Sequence, residues 1–170
     1  MDIKDQIHSA QDLLSKILSF FPRIDSKGSV LLGIDIGMLA ILAANAPSFD
    51  LFTEWYMYIP ILPVTLISIS VWHLYKSNFP KLDGGYQSMI YFKEIAGRTE
   101  AKYLEEFKNM SAEQYLKEIL GQVWRNSQIL KEKYHHIKYA FNFMALAIIP
   151  WAVSLTIFVT INHLPDSIFK

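Results

Sequence analysis

Asp35 is the only charged residue in the apolar run from Gly28 to Ala46, GSVLLGIDIGMLAILAANA. A carboxyl at that depth in a bilayer must face protein or water rather than lipid, where it can pair with a polar group, carry a proton or line an ion path. Ser29, Gly33 and Gly37 recur beside it at four-residue spacing. That is the small-xxx-small pattern by which two helix backbones approach closely. Taking about 100° per residue, Asp35 lies about 160° from Gly33 and about 160° from Gly37. One face of this helix is therefore free to bind a neighbouring helix while the other looks into a pore or toward a different partner. The alternative is a protonated or hydrogen-bonded structural Asp within a static bundle.

A second set of residues has the types that capture a nucleotide. A phosphate needs a cation, and a flat base needs an aromatic or guanidinium surface. Arg98 near Tyr91 and Phe92, and Arg125 beside Trp124, supply both, although exposed arginines on a solvated surface look the same in sequence. His135 and His136 are adjacent, so on a helix they point about 100° apart and make no metal clamp. The chain lacks HExxH, GxSxG, a Gly-rich phosphate loop and any ligand pair at metal spacing, so neither enzyme, cofactor nor metal is expected. With no cysteine, disulfides and thiolate metal sites are excluded. Lys plus Arg and Asp plus Glu balance at 16 each, which gives no sign of nucleic-acid binding.

Three apolar windows must position these residues. They run from Gly28 to Ala46, from about Met57 to Tyr75 and from about Tyr139 to Leu164. Each reaches the roughly 20 residues that span a bilayer. A soluble bundle with buried helices would also be apolar all round. Trp55, Tyr56, Tyr58, Trp72 and Tyr75, at the two ends of the second window, favour the interfacial belt of a membrane protein. The first span tolerates its carboxyl, since Asp costs about 2.5–3.5 kcal/mol at a helix centre and each Leu, Ile or Val returns about 0.3–0.6. Eight of the latter nearly offset it.

The loop between the first two spans carries Asp50 and Glu54 and no basic residue. Basic residues instead fill Lys76 to Lys138 and the segment before Gly28. The positive-inside rule then puts the N-terminus and the central insert in the cytoplasm and the tail PDSIFK outside. No cleavable signal fits the acid-containing N-terminus. The expected class is an all-α membrane protein, with a cytoplasmic helical insert between the second and third of three spans and an N-terminal amphipathic helix. Its parts are residues 1–27, the hairpin 28–76, the insert 77–138, and the third span with its tail, 139–170.

In the first part Ile3, Ile7, Ala10, Leu14, Ile17 and Phe21 recur at helical spacing, and Pro22 is expected to end the helix. It either lies on the inner leaflet or packs on the insert. The insert reads as helical, with a turn at PKLDGG, an interruption at Gly97, a short helix over Glu100–Asn109, and a capping box of Ser111 with Gln114. A single helix is expected from Ala112 to about His163, about 78 Å at 1.5 Å per residue. Tyr115, Ile119, Val123, Ile129, Tyr134 and Ile137 recur along its first half as a helix–helix seam. A helix that continues across the surface would carry a cytoplasmic event into the membrane.

DSKGSVLLGIDIGMLAIL (Asp25 to Leu42) resembles the D-x-K-A-S-x-L-L opening of the transmembrane effectors of bacterial Pycsar antiphage systems, with Gly28 in place of the usual alanine. Pro80, IYFKEIA, SAEQYLKEIL and QILKEKYHHIKYAF follow in the family's order, so the resemblance covers about Asp25 to Phe158. Asp25, Lys27, Pro80, Tyr115, Lys133 and Tyr134 are its motif positions. The resemblance implies a membrane protein that answers a cyclic pyrimidine nucleotide, cyclic UMP or cyclic CMP, made by an associated pyrimidine cyclase during infection. The expected protein is a homo-oligomer in the lipid bilayer of the bacterial inner membrane. Activation then impairs the membrane before phage matures, an abortive infection. The resemblance allows for members with a separate nucleotide-sensing or HD-type domain, for which this chain has no room, so the nucleotide is expected to act directly or through a partner protein. Two other functions fit the same spans: a non-toxic adaptor anchoring a signalling enzyme, and a small channel or transporter subunit.

Overall fold

The structure is a computed structural model and describes residues 1–47, 55–79 and 85–163. Pro80, the acidic pair Asp50 and Glu54, and the PDSIFK tail lie outside the described residues. Among those described there is no strand. The helices are α1 (Ile3–Leu18), α2 (Phe20–Ala44), α3 (Ile61–Asn78), α4 (Phe92–Ala96), α5 (Glu100–Lys108) and α6 (Ala112–His163), with a 3-10 turn at Trp55–Tyr58 ahead of α3. Three helical stretches, Ile3–Ala44, Tyr56–Asn78 and Ala112–His163, contain windows long and apolar enough to cross a membrane. The all-α membrane class read from the apolar windows is the one observed.

The chain divides into two compact units, Met1–Ile24 with Phe79–Lys133, and Asp25–Asn78 with Tyr134–Lys170. In the second unit the buried positions of α2 and α3 alternate by three and four, and those of α6 do the same apart from one step of seven past half-buried Trp151. They are Gly28, Leu31, Asp35, Met38 and Leu42 on α2, and Pro63, Ile67, Ser70, Leu74 and Ser77 on α3. On α6 they are Ile137, Ala140, Met144, Ala147, Ser154 and Phe158. This is the heptad rhythm of helices that pack knobs into holes. Lipid is as apolar as leucine, so such a seam is held by close packing and interhelical hydrogen bonds rather than by a hydrophobic drive. Small residues at the seam allow that approach. A Cβ on Gly28 would stand 3.1 Å from Ile137 Cδ1, the far end of a flexible side chain, so the family's alanine fits with a small shift of Ile137. Trp151 Nε1 donates to the Met38 carbonyl at 2.8 Å, and Asn162 Nδ2 donates to the Asn45 carbonyl at 3.0 Å. Pro150 removes one N–H inside α6, a defect that spanning helices tolerate.

In the first unit Ala10 is buried and Ile3, Ile7, Leu14, Ile17 and Phe21 are half-buried, so the predicted stripe is the inward face of α1. Of the two placements open to this helix, the structure shows packing on the insert: Gln11 Nε2 donates to the Tyr115 hydroxyl at 3.2 Å, and Ala10 and Leu13 share an apolar groove with Leu116 and Leu120. Pro22 does not end α1. The helix stops at Leu18, where Ser19 Oγ donates to the Lys16 carbonyl at 2.7 Å. Pro22 sits in the first turn of α2, where its missing N–H has no helical partner to lose. The insert is less helical than its sequence suggests. Gln87 takes a left-handed φ of 60°, and Ser88 Oγ accepts from the N–H groups of Ile90 and Tyr91, so the helix begins only at Phe92. The capping box is present in full: Gln114 N donates to Ser111 Oγ at 3.2 Å, and Ser111 N donates to Gln114 Oε1 at 2.8 Å.

Candidate functional site

Asp35 is fully buried at the seam of the second unit. Ser70 Oγ lies 2.6 Å from Asp35 Oδ2 and 3.0 Å from the Ala140 carbonyl oxygen, so one hydroxyl joins α2, α3 and α6. Asp35 Oδ1 makes no hydrogen bond among the described residues. A serine hydroxyl carries a single hydrogen. Both short contacts become full hydrogen bonds when the carboxyl holds the proton, donating to Ser70 Oγ while Ser70 donates to the carbonyl. Asp35 is thus hydrogen-bonded across the helices of the second unit. On the outer side of α2, Ser29 and Gly33 are exposed and Gly37 is half-buried. A Cβ added to Gly33 or Gly37 would meet nothing within 4 Å among the described residues. The carboxyl and the small-residue strip therefore occupy different faces, as the helical angle predicts.

A second polar contact crosses the same unit. His73 Nδ1 and His136 Nδ1 are 3.1 Å apart, so one ring must donate and the other accept, a pairing that two charged rings cannot make. His73 also stacks on Tyr139 and Phe143, with centroids 5.3 and 5.9 Å apart. Trp72 and Tyr75 stack at 5.8 Å, and Lys76 Nζ sits 4.9 Å from the Trp72 ring centroid, an arrangement suited to a membrane interface.

The first unit has a polar groove of about 930 Å³, lined by Arg98, Lys102 and Lys117 together with Glu105, Glu106 and Glu118. Of the residues chosen from sequence for nucleotide capture, only Arg98 lines it, and its donors are already engaged. Arg98 Nε donates to Glu106 Oε2 at 2.8 Å, Nη1 to the carbonyls of Ser88 and Glu94, and Nη2 to the Gln87 carbonyl. The guanidinium is a staple that closes the Gln87 turn. Glu118 holds the other side, accepting from Ser88 Oγ at 2.6 Å and from Met89 N at 3.3 Å. Tyr91 packs edge-on against Phe92, Phe92 and Trp124 are 63% and 64% exposed, and Arg125 is half-buried next to Trp124. None of these four lines the groove. Lys102 and Lys117 are the groove's cations besides Arg98.

Arg98→Lys is expected to destabilise the first unit by about 3 kcal/mol, because an ammonium cannot reproduce a planar fork that serves several acceptors. Hydrogen exchange of the Ser88 and Tyr91 amides checks this. Unchanged protection would remove the staple role.

The family-motif positions fall in different places. Lys27 and Tyr134 line one groove of the second unit, Tyr115 bonds Gln11 in the first, and Pro80 lies outside the described residues. Asp25 and Lys133 each hold an interaction of their own. The sequence family described as the Pycsar effector protein domain matches residues 9–160. The chain belongs to the Pycsar effector family. No curated protein and no solved structure matches it. Pycsar membership implies an antiphage effector that works with cyclic-nucleotide signalling and a cyclase elsewhere in the system, and the three apolar helices fit a membrane-resident one. Sequence reasoning missed the partners Ser70, Ala140 and His73, which act across helices far apart in the chain, and Glu118, which holds the turn at Ser88.

Proposed function

We propose that this chain is the membrane-impairing effector of a Pycsar defence. Cyclic UMP or cyclic CMP from the associated cyclase, acting directly or through a partner protein, loosens the helix seam of an inner-membrane homo-oligomer. The carboxyl of Asp35 then meets water, the membrane depolarises, and infection aborts. For direct binding, Lys102 and Lys117 in the polar groove replace Arg98 as the phosphate contacts.

The observation that supports this reading is energetic. A mid-span Asp costs about 2.5–3.5 kcal/mol to insert. One interhelical hydrogen bond returns about 0.6 kcal/mol on average and about 1.7 at most. Leucine at position 35 would make a more stable bundle. A carboxyl placed at the seam and tied by one hydroxyl is poorly explained by stability and well explained by a state in which it is released.

Inducing the protein with and without the cyclase while following membrane potential tests the proposal. Depolarisation only with the cyclase is expected. No depolarisation in either case would favour an adaptor, and depolarisation without the cyclase a constitutive channel. The proposed topology has its own check. Reporters after Lys27 and Lys108 are expected to read cytoplasmic and one at Ser48, outside the described residues, periplasmic. A periplasmic signal at Lys108 would invert the arrangement.

A further inference from the structure

A groove of about 510 Å³ opens in the second unit where the first turns of the spanning part of α2 face the start of that part of α6. Lys27 and Lys138 stand in it, with the Ser26 and Tyr134 side chains beside them. Val30, Leu31, Ile137 and Phe141 form the rest of the wall. Both helices enter the apolar windows in the direction of increasing residue number, so the groove is graded. Its polar residues, Ser26, Lys27, Tyr134 and Lys138, lie mostly toward the basic ends of the two windows, and Val30, Leu31 and Phe141 lie deeper. No carboxylate lines it among the described residues, and neither ammonium has an ion-pair or hydrogen-bond partner there. Both lysines are exposed, as are Val30 at 61% and Phe141 at 53%.

We infer that this groove binds an anionic phospholipid, its phosphate between Lys27 and Lys138 and the upper part of its acyl chains against Val30 and Phe141. Basic pockets between spanning helices at the headgroup level take acidic lipids for this reason. The size falls in the range of small-ligand sites, about 300–1,000 Å³, enough for a headgroup and the first chain carbons. A cyclic nucleotide shares the phosphate chemistry, yet the apolar wall offers its base no donors or acceptors. The lysine stems can lie along the apolar wall while their ammoniums stay in the headgroup layer. The inference also gives Lys27 and Tyr134 a shared role that their family positions alone do not assign. It rests on the membrane reading of the three helices and is independent of toxicity.

The full chain, reconstituted in vesicles of phosphatidylcholine with and without phosphatidylglycerol, is extracted in detergent and its retained lipid counted by native mass spectrometry. Phosphatidylglycerol is expected to be retained over phosphatidylcholine by on the order of tenfold or more, from two lysines near the membrane surface. Lys27→Gln with Lys138→Gln is expected to abolish the preference, whereas Lys102→Gln with Lys117→Gln leaves it intact. Val30→Trp, which fills the groove and keeps both charges, is expected to lower retention of both lipids. Equal retention of the two lipids, a preference that survives the Lys27/Lys138 pair of substitutions, or unchanged retention in Val30→Trp would overturn the assignment. Displacement of the lipid by cyclic UMP or cyclic CMP would assign the lysines to a free nucleotide instead. Protein stripped from the vesicles by alkaline carbonate would overturn the membrane reading beneath it. Firmly inserted protein without a preference would overturn this inference alone.

Discussion

Asp35→Asn is expected to fold and insert at least as well as the parent and to depolarise cells about tenfold more slowly when the cyclase is present. In the closed bundle an asparagine amide donates to Ser70 Oγ from the same place as a protonated carboxyl, so the contact among α2, α3 and α6 survives. The difference appears only when the seam opens. A unit charge about 6 Å from a passing cation, at an effective dielectric of about 40, contributes about 1.4 kcal/mol, a tenfold change in occupancy. Ser70→Ala is the complementary change. It keeps the carboxyl and removes the hydroxyl that ties it, at a cost of about 0.6–1.7 kcal/mol. Basal depolarisation without the cyclase is then expected to rise about 3- to 20-fold. If Asp35→Asn depolarises as strongly as the parent, the carboxyl is structural and the membrane is breached by a packing change alone.

The spans were legible because a bilayer imposes a length and a polarity that few other environments demand. Windows beginning at Gly28, Met57 and Tyr139 therefore located three spanning segments, and the uninterrupted pattern after Ser111 anticipated the whole of α6. The angular relation of Asp35 to Gly33 and Gly37 was legible for a similar reason, since both depend only on helical rise and turn. Partners across helices were not. Ser70 is one of several hydroxyls in its span, beside Thr65 and Ser68, which bond back to carbonyls four residues earlier on their own helix. What separates Ser70 is its place on the 63–67–70–74–77 rhythm of buried residues. Small polar residues at heptad positions were the signal that could have found it.

Arg98 misled for the opposite reason. An arginine near aromatic residues has the composition of an anion site, but the left-handed turn at Gln87 exposes backbone carbonyls that need donors. The guanidinium satisfies them, and composition alone does not reveal that demand. The His73 and His136 contact was hidden too, since adjacent histidines at 135 and 136 direct attention to each other. The structure gives each a further partner: His136 meets His73 at 3.1 Å, and the His135 and Tyr139 ring centroids are 4.7 Å apart.

Gly28→Leu and Gly33→Leu are expected to fail in different ways, although both put a large side chain on α2. At Gly28 the Cβ alone would come within 3.1 Å of Ile137 Cδ1 and 3.8 Å of the Asn78 side chain. The further carbons of leucine have no room without separating α2 from α6, and overpacking of this kind costs about 1–3 kcal/mol. Thermal unfolding in detergent should show the loss at any protein concentration. At Gly33 a Cβ meets nothing within 4 Å among the described residues, so leucine there should not lower the monomer's stability. The small-residue strip is where a second copy would approach, and a leucine there holds the two backbones apart. Losing about 1.4 kcal/mol of that contact raises the dissociation constant about tenfold, which crosslinking or sedimentation reads directly. Depolarisation with the cyclase should fall in parallel with the oligomer. Gly33→Leu that assembles like the parent would show that copies meet through another face. The strip of Ser29, Gly33 and Gly37 would then serve only to face lipid.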